Sequence, residues 1–192
     1  MPPYADAEAL FFDWTRTASL RRHGLAVAAS MARYAEHFAA QGEDIDVETW
    51  RITGLLHDLD YERHPTPEEH PRVGVAELER RGYPEAVRTA VLGHAPYTGV
   101  PRESLLAQAL FAVDELSGFV MAVAFVRPTR MAGMKVKSVR KKLKDKAFAA
   151  AVSRDDIRQG IAELGVDETE HIARVIEALQ REEARVFEVE GD

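Results

Sequence analysis

The chain has 192 residues, of which 46% are hydrophobic and 30% charged. This is enough apolar material for a globular core and too much for a disordered chain. The absence of cysteine excludes disulfides, thiolate metal sites and cysteine nucleophiles, and the net charge of −7 argues against nucleic acid as the main partner. We find neither an apolar run of about 18 residues nor a signal-peptide pattern, so we expect no membrane segment and a cytoplasmic protein.

Helical periodicity covers most of the chain, and the alternating pattern of β-strands is almost absent. We predict an all-α fold of about eight helices in one domain spanning residues 1–192, with the functional motifs in residues 20–120 and the helices of residues 136–188 packed on them. In chain order the predicted helices span about 20–42, 46–57, 66–82, 84–94, 104–126, 136–150, 154–164 and 168–188.

Local capping residues support these boundaries. The N-cap candidates are Asp46, Ser153 and Asp167, and the terminating glycines are Gly42 and Gly82. The segment Thr66-Pro67-Glu68-Glu69 has the pattern of a capping box with proline at the first helical position. It predicts that the third helix begins there.

The dipeptide His57-Asp58 ends the second predicted helix, after the apolar residues Leu55 and Leu56. Adjacent helical residues are about 100° apart, so at a frayed helix end both side chains can converge on one ion. We therefore consider this pair a candidate metal site.

Two more polar residues interrupt apolar helix faces. His23 falls between Leu20 and Val27 on one stripe, and Asp114 follows Leu110 by four residues in the middle of a long helix. A buried polar side chain needs a partner, and an uncompensated carboxylate is costly unless a cation or positive neighbour lies beside it. With His57 and Asp58 they form a set of two imidazoles and two carboxylates that suits a divalent metal. The alternative is a buried polar network without an ion.

Three short segments resemble the HD superfamily of metal-dependent phosphohydrolases. They are Leu55-Leu56-His57-Asp58-Leu59-Asp60, His70-Pro71-Arg72-Val73-Gly74 and Val91-Leu92-Gly93-His94. They are similar to the family's HD-I-G segment, its His-x-x-x-Gly segment and its later helical histidine, and the resemblance covers about residues 20–120. Two positions depart from the family: Asp60 replaces the usual glycine of HD-I-G, and Tyr61 stands where many phosphodiesterase members have lysine.

The resemblance implies an all-α fold that hydrolyses phosphate esters, often nucleotides, with one or two ions of Mn, Mg, Co, Ni, Fe or Zn. By position, the metal ligands are His23, His57, Asp58 and Asp114, with His70 and His94 as the extra histidines for a second metal. Asp58 would bridge the two ions. The alternatives are a core histidine bonded to a backbone carbonyl for His94 and a surface histidine for His70.

Other residues are weaker candidates. Asp60 and Glu62 follow the His-Asp pair into a loop and, with Asp58, form the predicted catalytic set as general acid or base; the alternative for both is a polar turn residue. We interpret the remaining histidines as solvated surface residues. These are His37, His64 and His171.

The segment 127–146 has nine basic residues and one acidic residue, a local charge of +8 that leaves −15 on the rest of the chain. It could form a phosphate-facing wall that attracts an anionic substrate, with Lys135, Lys137 and Arg140 as substrate-binding candidates. The alternative is a solvated helix face.

Hydrolysis of a small phosphorylated substrate, a nucleotide or a related metabolite, is therefore the leading functional hypothesis. Two others remain: a di-iron oxygenase that uses the same six ligands, and a non-catalytic domain that senses a phosphorylated metabolite. The last helix has an apolar side that either completes the core or pairs with a second chain as a homodimer. Its residues are Ile172, Val175, Ile176 and Leu179.

Overall fold

A computed structural model describes residues 1–189, which form ten α-helices, one short 3-10 helix and no β-strand. The α-helices are α1 (Tyr4–Trp14), α2 (Ala18–Ala40), α3 (Val47–Leu56), α4 (Arg72–Arg80), α5 (Glu85–His94), α6 (Leu105–Phe125), α7 (Val136–Leu143), α8 (Arg154–Leu164), α9 (Glu168–Arg181) and α10 (Glu183–Phe187). The 3-10 helix, Pro96–Thr98, lies between α5 and α6. The all-α prediction is confirmed, with two more helices in this part of the chain than the eight expected.

The two additional helices lie at the ends of the described chain. Helix α1 buries Ala7, Leu10 and Phe11, whose three- and four-residue spacing places them on one face against α3. The helix predicted over 168–188 is divided at Glu182, whose φ of −109° and ψ of 20° are not helical. The C-terminal part therefore forms the separate short helix α10.

The third predicted helix begins later than its capping box indicates. Residues 66–71 form turns, in which the Glu69 backbone N–H donates to the Thr66 carbonyl at 3.0 Å, and α4 starts only at Arg72. Pro71 explains the shift, because proline disfavours helical geometry in the residue before it. His70 therefore lies in a turn and not inside a helix.

The helix predicted over 136–150 ends at Leu143. The following segment turns around the guanidinium of Arg154, which donates hydrogen bonds to the backbone carbonyls of Asp145, Phe148, Ala149 and Val152. The Arg154 side chain, two to nine residues further along the chain, therefore binds these carbonyls in place of a continued helix.

The other local predictions agree with the structure. Asp46, Ser153 and Asp167 each accept hydrogen bonds from backbone N–H groups of the helical turn that follows them. Gly42 and Gly82 adopt positive φ angles of 98° and 81° after α2 and α4, the conformation in which glycine commonly ends a helix.

Helix α6 lies at the centre of the core and packs against α2, α5 and α8. It is long and apolar enough to cross a membrane, with a mean hydropathy of 1.5, but 72% of that window is buried inside the fold. Such burial is the property of a core helix. The hydroxyls of Ser30 and Ser117, 2.9 Å apart, form a buried hydrogen bond between α2 and α6.

The apolar side of α9 completes the core. Ile172, Val175, Ile176 and Leu179 are all buried, and α9 packs against α2, α6 and α7. Of the two possibilities for this helix, the structure therefore favours packing within the chain over pairing with a second chain.

Helices α2 and α3 approach each other closely at Gly54. A Cβ atom at this position would lie 2.8 Å from the Val27 carbonyl oxygen and 2.9 Å from Met31 Cγ. Only glycine fits this contact without displacing a neighbour. The close approach brings the end of α3, and with it His57, beside His23 on α2.

Candidate metal centre

Six side chains from five parts of the fold converge between α2, α3, α5 and α6. They are His23 on α2, His57 and Asp58 at the end of α3, His70 in the turn before α4, His94 at the end of α5 and Asp114 on α6. Among the described residues, they form overlapping groups of three whose potential ligand atoms lie within 4.8 Å of one another. The fold therefore brings together all six predicted metal ligands.

Four of these side chains form the first half of the cluster. His23 Nε2 lies 3.0 Å from Asp114 Oδ1, 3.2 Å from His57 Nε2 and 3.7 Å from Asp58 Oδ2. His57 Nε2 lies 3.4 Å from both Asp58 Oδ2 and Asp114 Oδ1. Each of these two nitrogens therefore lies within 3.7 Å of both carboxylate oxygens.

The second half of the cluster forms around the other oxygen of Asp58. Its Oδ1 lies 3.4 Å from His70 Nε2 and 3.2 Å from His94 Nε2. Because its two oxygens face different groups of ligands, Asp58 is placed to bridge two ions.

Three imidazoles are held with Nε2 directed into the cluster. His57 Nδ1 donates to the Gly54 carbonyl at 2.8 Å, and His94 Nδ1 donates to the Val91 carbonyl. His70 Nδ1 donates to Asp60 Oδ1 at 2.7 Å. A histidine that donates through Nδ1 has its lone pair on Nε2, which is the form that binds metal.

Asp60 is fully buried beside His70. Its Oδ2 accepts a hydrogen bond from the Gly74 backbone N–H at 2.6 Å, while its Oδ1 accepts from His70. A Cβ atom at Gly74 would lie 3.1 Å from Asp60 Cγ, so the glycine gives the carboxylate room. Both oxygens of Asp60 are thus engaged in holding His70 and the start of α4.

The electrostatics of the cluster require positive charge at its centre. Burial lowers the pKa of His57, but the carboxylates of Asp58 and Asp114 outweigh it and raise that pKa well above its ordinary value. The pKa values of Asp58 and Asp114 are raised by burial, yet the neighbouring histidines bring both well below the usual range. A divalent cation would supply this charge, and the set of imidazole and carboxylate donors fits one.

The cluster opens into a cavity of about 680 Å³. Five of its six side chains line this cavity, all except His57. The rest of the lining consists of Tyr61, Ala95, Pro96, Tyr97, Phe111, Glu115, Gly118, Val152 and Asp156. No lysine or arginine is among these lining residues.

The family model of the HD domain matches residues 20–118, more than half of the chain. This chain belongs to the HD domain family. No curated protein and no solved structure matches it. The predicted resemblance is confirmed, and the matched region includes all six side chains of the cluster.

The proposed acid–base residues of this HD-domain protein are both engaged away from the cavity. Asp60 binds His70 and Gly74, as described above. Glu62 accepts hydrogen bonds from the Arg16 backbone N–H at 2.8 Å and from the Thr17 hydroxyl at 2.9 Å, at the start of α2. Neither residue lines the cavity, so their positions suit structural roles better than proton transfer to a substrate.

The basic segment 127–146 also lies away from the cavity. Lys135, Lys137 and Arg140 are exposed, and none of the three lines it. Helix α7 packs against α6 and α9, and Arg140 forms an ion pair with Glu168 at 2.8 Å. The substrate-binding role of these three residues therefore stays a prediction, for side chains that lie outside the cavity lining.

Four aromatic or acidic residues of the cavity lining were not predicted: Tyr97, Phe111, Glu115 and Asp156. Burial and the charge of Asp114 raise the pKa of Glu115 to about 7, while a hydrogen bond from the Ser153 backbone N–H to its Oε2, at 3.0 Å, opposes the shift. A cation beside Asp114 would further favour the ionised carboxylate. The position of Glu115 directly after Asp114 could have drawn attention to it in the sequence.

The other three histidines have different environments. His37 and His64 are partly exposed, and His64 Nδ1 lies 3.0 Å from Glu69 Oε1. The prediction that His171 is solvated is wrong: it is fully buried, its Nε2 donates to the Ala112 carbonyl at 3.0 Å, and Tyr34 donates to its Nδ1. Burial lowers the pKa of His171 to about 4. His171 lies four residues before the buried Val175, so the helical spacing itself places it on the buried face and could have corrected the prediction.

Proposed function

We propose that this HD-domain protein is a metal-dependent phosphohydrolase that cleaves a phosphomonoester or phosphodiester of a small metabolite. The observation that carries the proposal is the convergence of four histidines and two aspartates at the wall of an open cavity. Family membership supports the same reaction class, since HD domains are generally metal-dependent hydrolases.

The ligands divide into two sets that share Asp58. We assign His23, His57 and Asp114 to one ion, and His70 and His94 to the other. When bound, divalent ions polarise a phosphoryl oxygen and lower the pKa of water, so that hydroxide is available at neutral pH. The chain binds and orients these ions with side chains whose outer hydrogen bonds are already formed.

One side of the cluster is buried and the other is partly exposed, so that water reaches the ligands from one side. His57 has no exposed side-chain surface, and His70 and His94 have about 5% each. His23, Asp58 and Asp114 keep 16–21%, so a substrate approaches from their side. Low local polarity strengthens the attraction between the ligand carboxylates and bound cations.

We also propose that the protein acts on a small phosphorylated molecule in the cytoplasm rather than on nucleic acid. The net charge of −7 and the cysteine-free sequence favour this assignment.

The test is a hydrolysis screen on protein purified without chelator or nickel column. Phosphomonoesters and phosphodiesters would be offered with Mn, Mg, Co, Ni and Fe, beside an Asp58→Ala variant. We expect metal-dependent turnover that the variant loses, because it removes the bridging carboxylate. Wild-type hydrolysis that persists in Asp58→Ala would contradict the proposal.

The same six donors also suit a di-iron centre, because imidazole and carboxylate ligands bind iron well. Two irons per chain, consumption of dioxygen and no hydrolysis would favour an oxygenase. Tight binding of a phosphorylated metabolite without turnover under any metal would favour a sensor.

A further inference from the structure

We propose that Arg102 is a positioning residue for the ion assigned to His70 and His94; this rests on the two-ion centre of the proposed function. Arg102 is not one of the six ligands and does not line the cavity. It contacts the end of α5, the helix whose last residue is His94. Its loss should therefore weaken the binding of one ion and leave the other unchanged.

The end of α5 is closed by side chains instead of by a further helical turn. Ala95, the residue before Pro96, has an extended conformation with φ of −97° and ψ of 106°. Proline has no backbone N–H, so the Leu92 carbonyl, four residues before Pro96, has no helical partner. The Thr98 hydroxyl lies 2.8 Å from this carbonyl and donates to it.

Arg102 binds the next carbonyl of the same helix end. Its Nη1 donates to the Gly93 carbonyl oxygen at 2.8 Å. This carbonyl belongs to the planar peptide group that joins Gly93 to His94, so the guanidinium fixes the backbone directly before the ligand. A Cβ atom at Gly93 would lie 3.1 Å from Arg102 Cγ. The missing side chain at Gly93 therefore lets Arg102 lie close to the helix end.

Arg102 is in turn held by two other helices. Its Nε and Nη2 donate to the two carboxylate oxygens of Glu163 on α8, at 2.6 and 2.7 Å. Its guanidinium lies over the ring of Phe111 on α6, 3.7 Å from the ring centroid, and only 9% of its side chain is exposed. A paired and stacked guanidinium is a geometry that lysine does not reproduce. It forms a fixed link between α5, α6 and α8.

The backbone contact of Arg102 reaches only one half of the cluster. Among the described residues, its hydrogen-bond partners are Gly93, Glu163 and Gln108, and none of the six ligands. His94 Nε2 lies 3.2 Å from Asp58 Oδ1, the oxygen on the His70 side. A change at Arg102 should therefore be felt at the ion on this side.

The test measures equilibrium binding of Mn to the metal-free chain, with the dissociation constants of the two ions resolved. Arg102→Lys keeps the charge but loses the paired hydrogen bonds to Glu163. We expect it to weaken one ion by about tenfold or more, the scale on which the partners of metal-binding histidines act, and to leave the other within about twofold. The matched control is Arg88→Lys on the same helix, where Arg88 pairs with Glu79; it should change neither constant.

The same substitution in a His94→Ala background separates positioning from general stabilisation. This background should retain only the ion on the Asp114 side, and adding Arg102→Lys should leave its dissociation constant within about twofold. Weaker binding in this background would show that Arg102 acts on the fold as a whole, or through Phe111 on α6, and would overturn the proposal. Unchanged binding of both ions by Arg102→Lys alone would overturn it as well.

A second variant covers the case in which Arg102→Lys does not fold. Glu163→Gln keeps one side-chain oxygen and so accepts only one of the two hydrogen bonds from Arg102. It should weaken the same ion by a smaller factor, and unchanged binding of both ions would overturn the proposal.

None of these measurements depends on turnover. A chain that binds two Mn ions but hydrolyses no phosphate ester would contradict the proposed function, while the two dissociation constants would still decide the role of Arg102. Fewer than two ions on the wild type would remove the site that Arg102 positions and would overturn the proposal directly.

Discussion

Asp60 shows how a single residue can acquire a role that its sequence position does not indicate. In the sequence it replaces the glycine of the family's HD-I-G segment, and its place in the loop after the His-Asp pair suggested a catalytic or turn residue. In the structure its two oxygens accept from His70 Nδ1 and the Gly74 backbone N–H, at 2.7 and 2.6 Å. The contact joins residues 10 and 14 positions apart, which is why local pattern analysis missed it.

We predict that Asp60→Asn weakens metal binding by the half of the cluster that contains His70. An asparagine has one oxygen, so it cannot accept both hydrogen bonds, and its amide N–H₂ beside Nδ1 would favour the tautomer with the proton on Nε2. Metal content should fall by about one ion per chain, because the hydrogen-bond partners of metal-binding histidines contribute about 10–100-fold in metal affinity. Unchanged metal content and affinity in this variant would contradict the positioning role, and Asp155→Asn serves as control.

The buried His171 predicts a pH dependence of stability. Its pKa is about 4 in the folded chain, whereas in the unfolded chain it takes up a proton near pH 6.5. The unfolded state therefore binds more protons between these two pH values. The stabilisation of the folded state by the neutral His171 is complete above about pH 6.5 and is lost as the pH falls towards 4.

We expect the contribution of His171 to the free energy of unfolding to fall by about 1.4 kcal/mol for each pH unit within that window. Urea unfolding of the wild type and of His171→Gln, compared at about pH 7 and about pH 5, measures it. The difference in stability between the two proteins should narrow at the lower pH. A difference that stays constant would show that His171 does not titrate in this way.

At the scale of helices, the sequence was informative wherever the deciding interaction is local. Asp46, Ser153 and Asp167 cap helices as predicted, because an N-cap bond spans only two or three residues. The early end of α7 was not predicted, because the Arg154 guanidinium binds carbonyls two to nine residues before it, and these spacings match no helix-capping pattern. The late start of α4 was missed although Pro71 indicates it.

The close packing of α2 and α3 predicts a difference between two helical glycines. Gly54→Ala should destabilise the protein by about 1–3 kcal/mol, because the new methyl group meets the Val27 backbone. Gly118→Ala should be neutral or stabilising, since its Cβ would be 3.6 Å from the nearest atom, His23 Nδ1, and alanine favours helix. Denaturant unfolding of both variants checks this, and equal effects would contradict the proposed close contact.

At the scale of the whole molecule, the four-ligand site could be predicted, but the position of the basic segment could not. A motif and two interrupted apolar stripes indicate the four ligands His23, His57, Asp58 and Asp114. These signals hold for any packing that buries the apolar stripes. The side of the fold on which α7 lies depends on its tertiary contacts with α6 and α9. Charge composition alone therefore suggested a phosphate-binding surface, but the folded chain does not place these basic residues in the cavity lining.

This arrangement predicts that the basic segment is dispensable for turnover. Replacing both Lys135 and Lys137 by glutamine should change kcat/KM by less than about twofold at physiological salt, because exposed charges far from a site are largely screened. Steady-state kinetics on the best substrate of the screen measures the effect. A decrease in kcat/KM of tenfold or more would show that these lysines contribute to substrate binding.

The central claim is that six side chains form a two-ion centre bridged by Asp58. The most direct measurement is the number of Mn ions bound per chain at equilibrium, for the wild type and for His94→Ala. We predict two ions in the wild type and one in the variant, because His94 Nε2 lies 3.2 Å from the Asp58 oxygen that His70 Nε2 approaches at 3.4 Å. Absence of bound metal in the wild type, or two ions in His94→Ala, would contradict it.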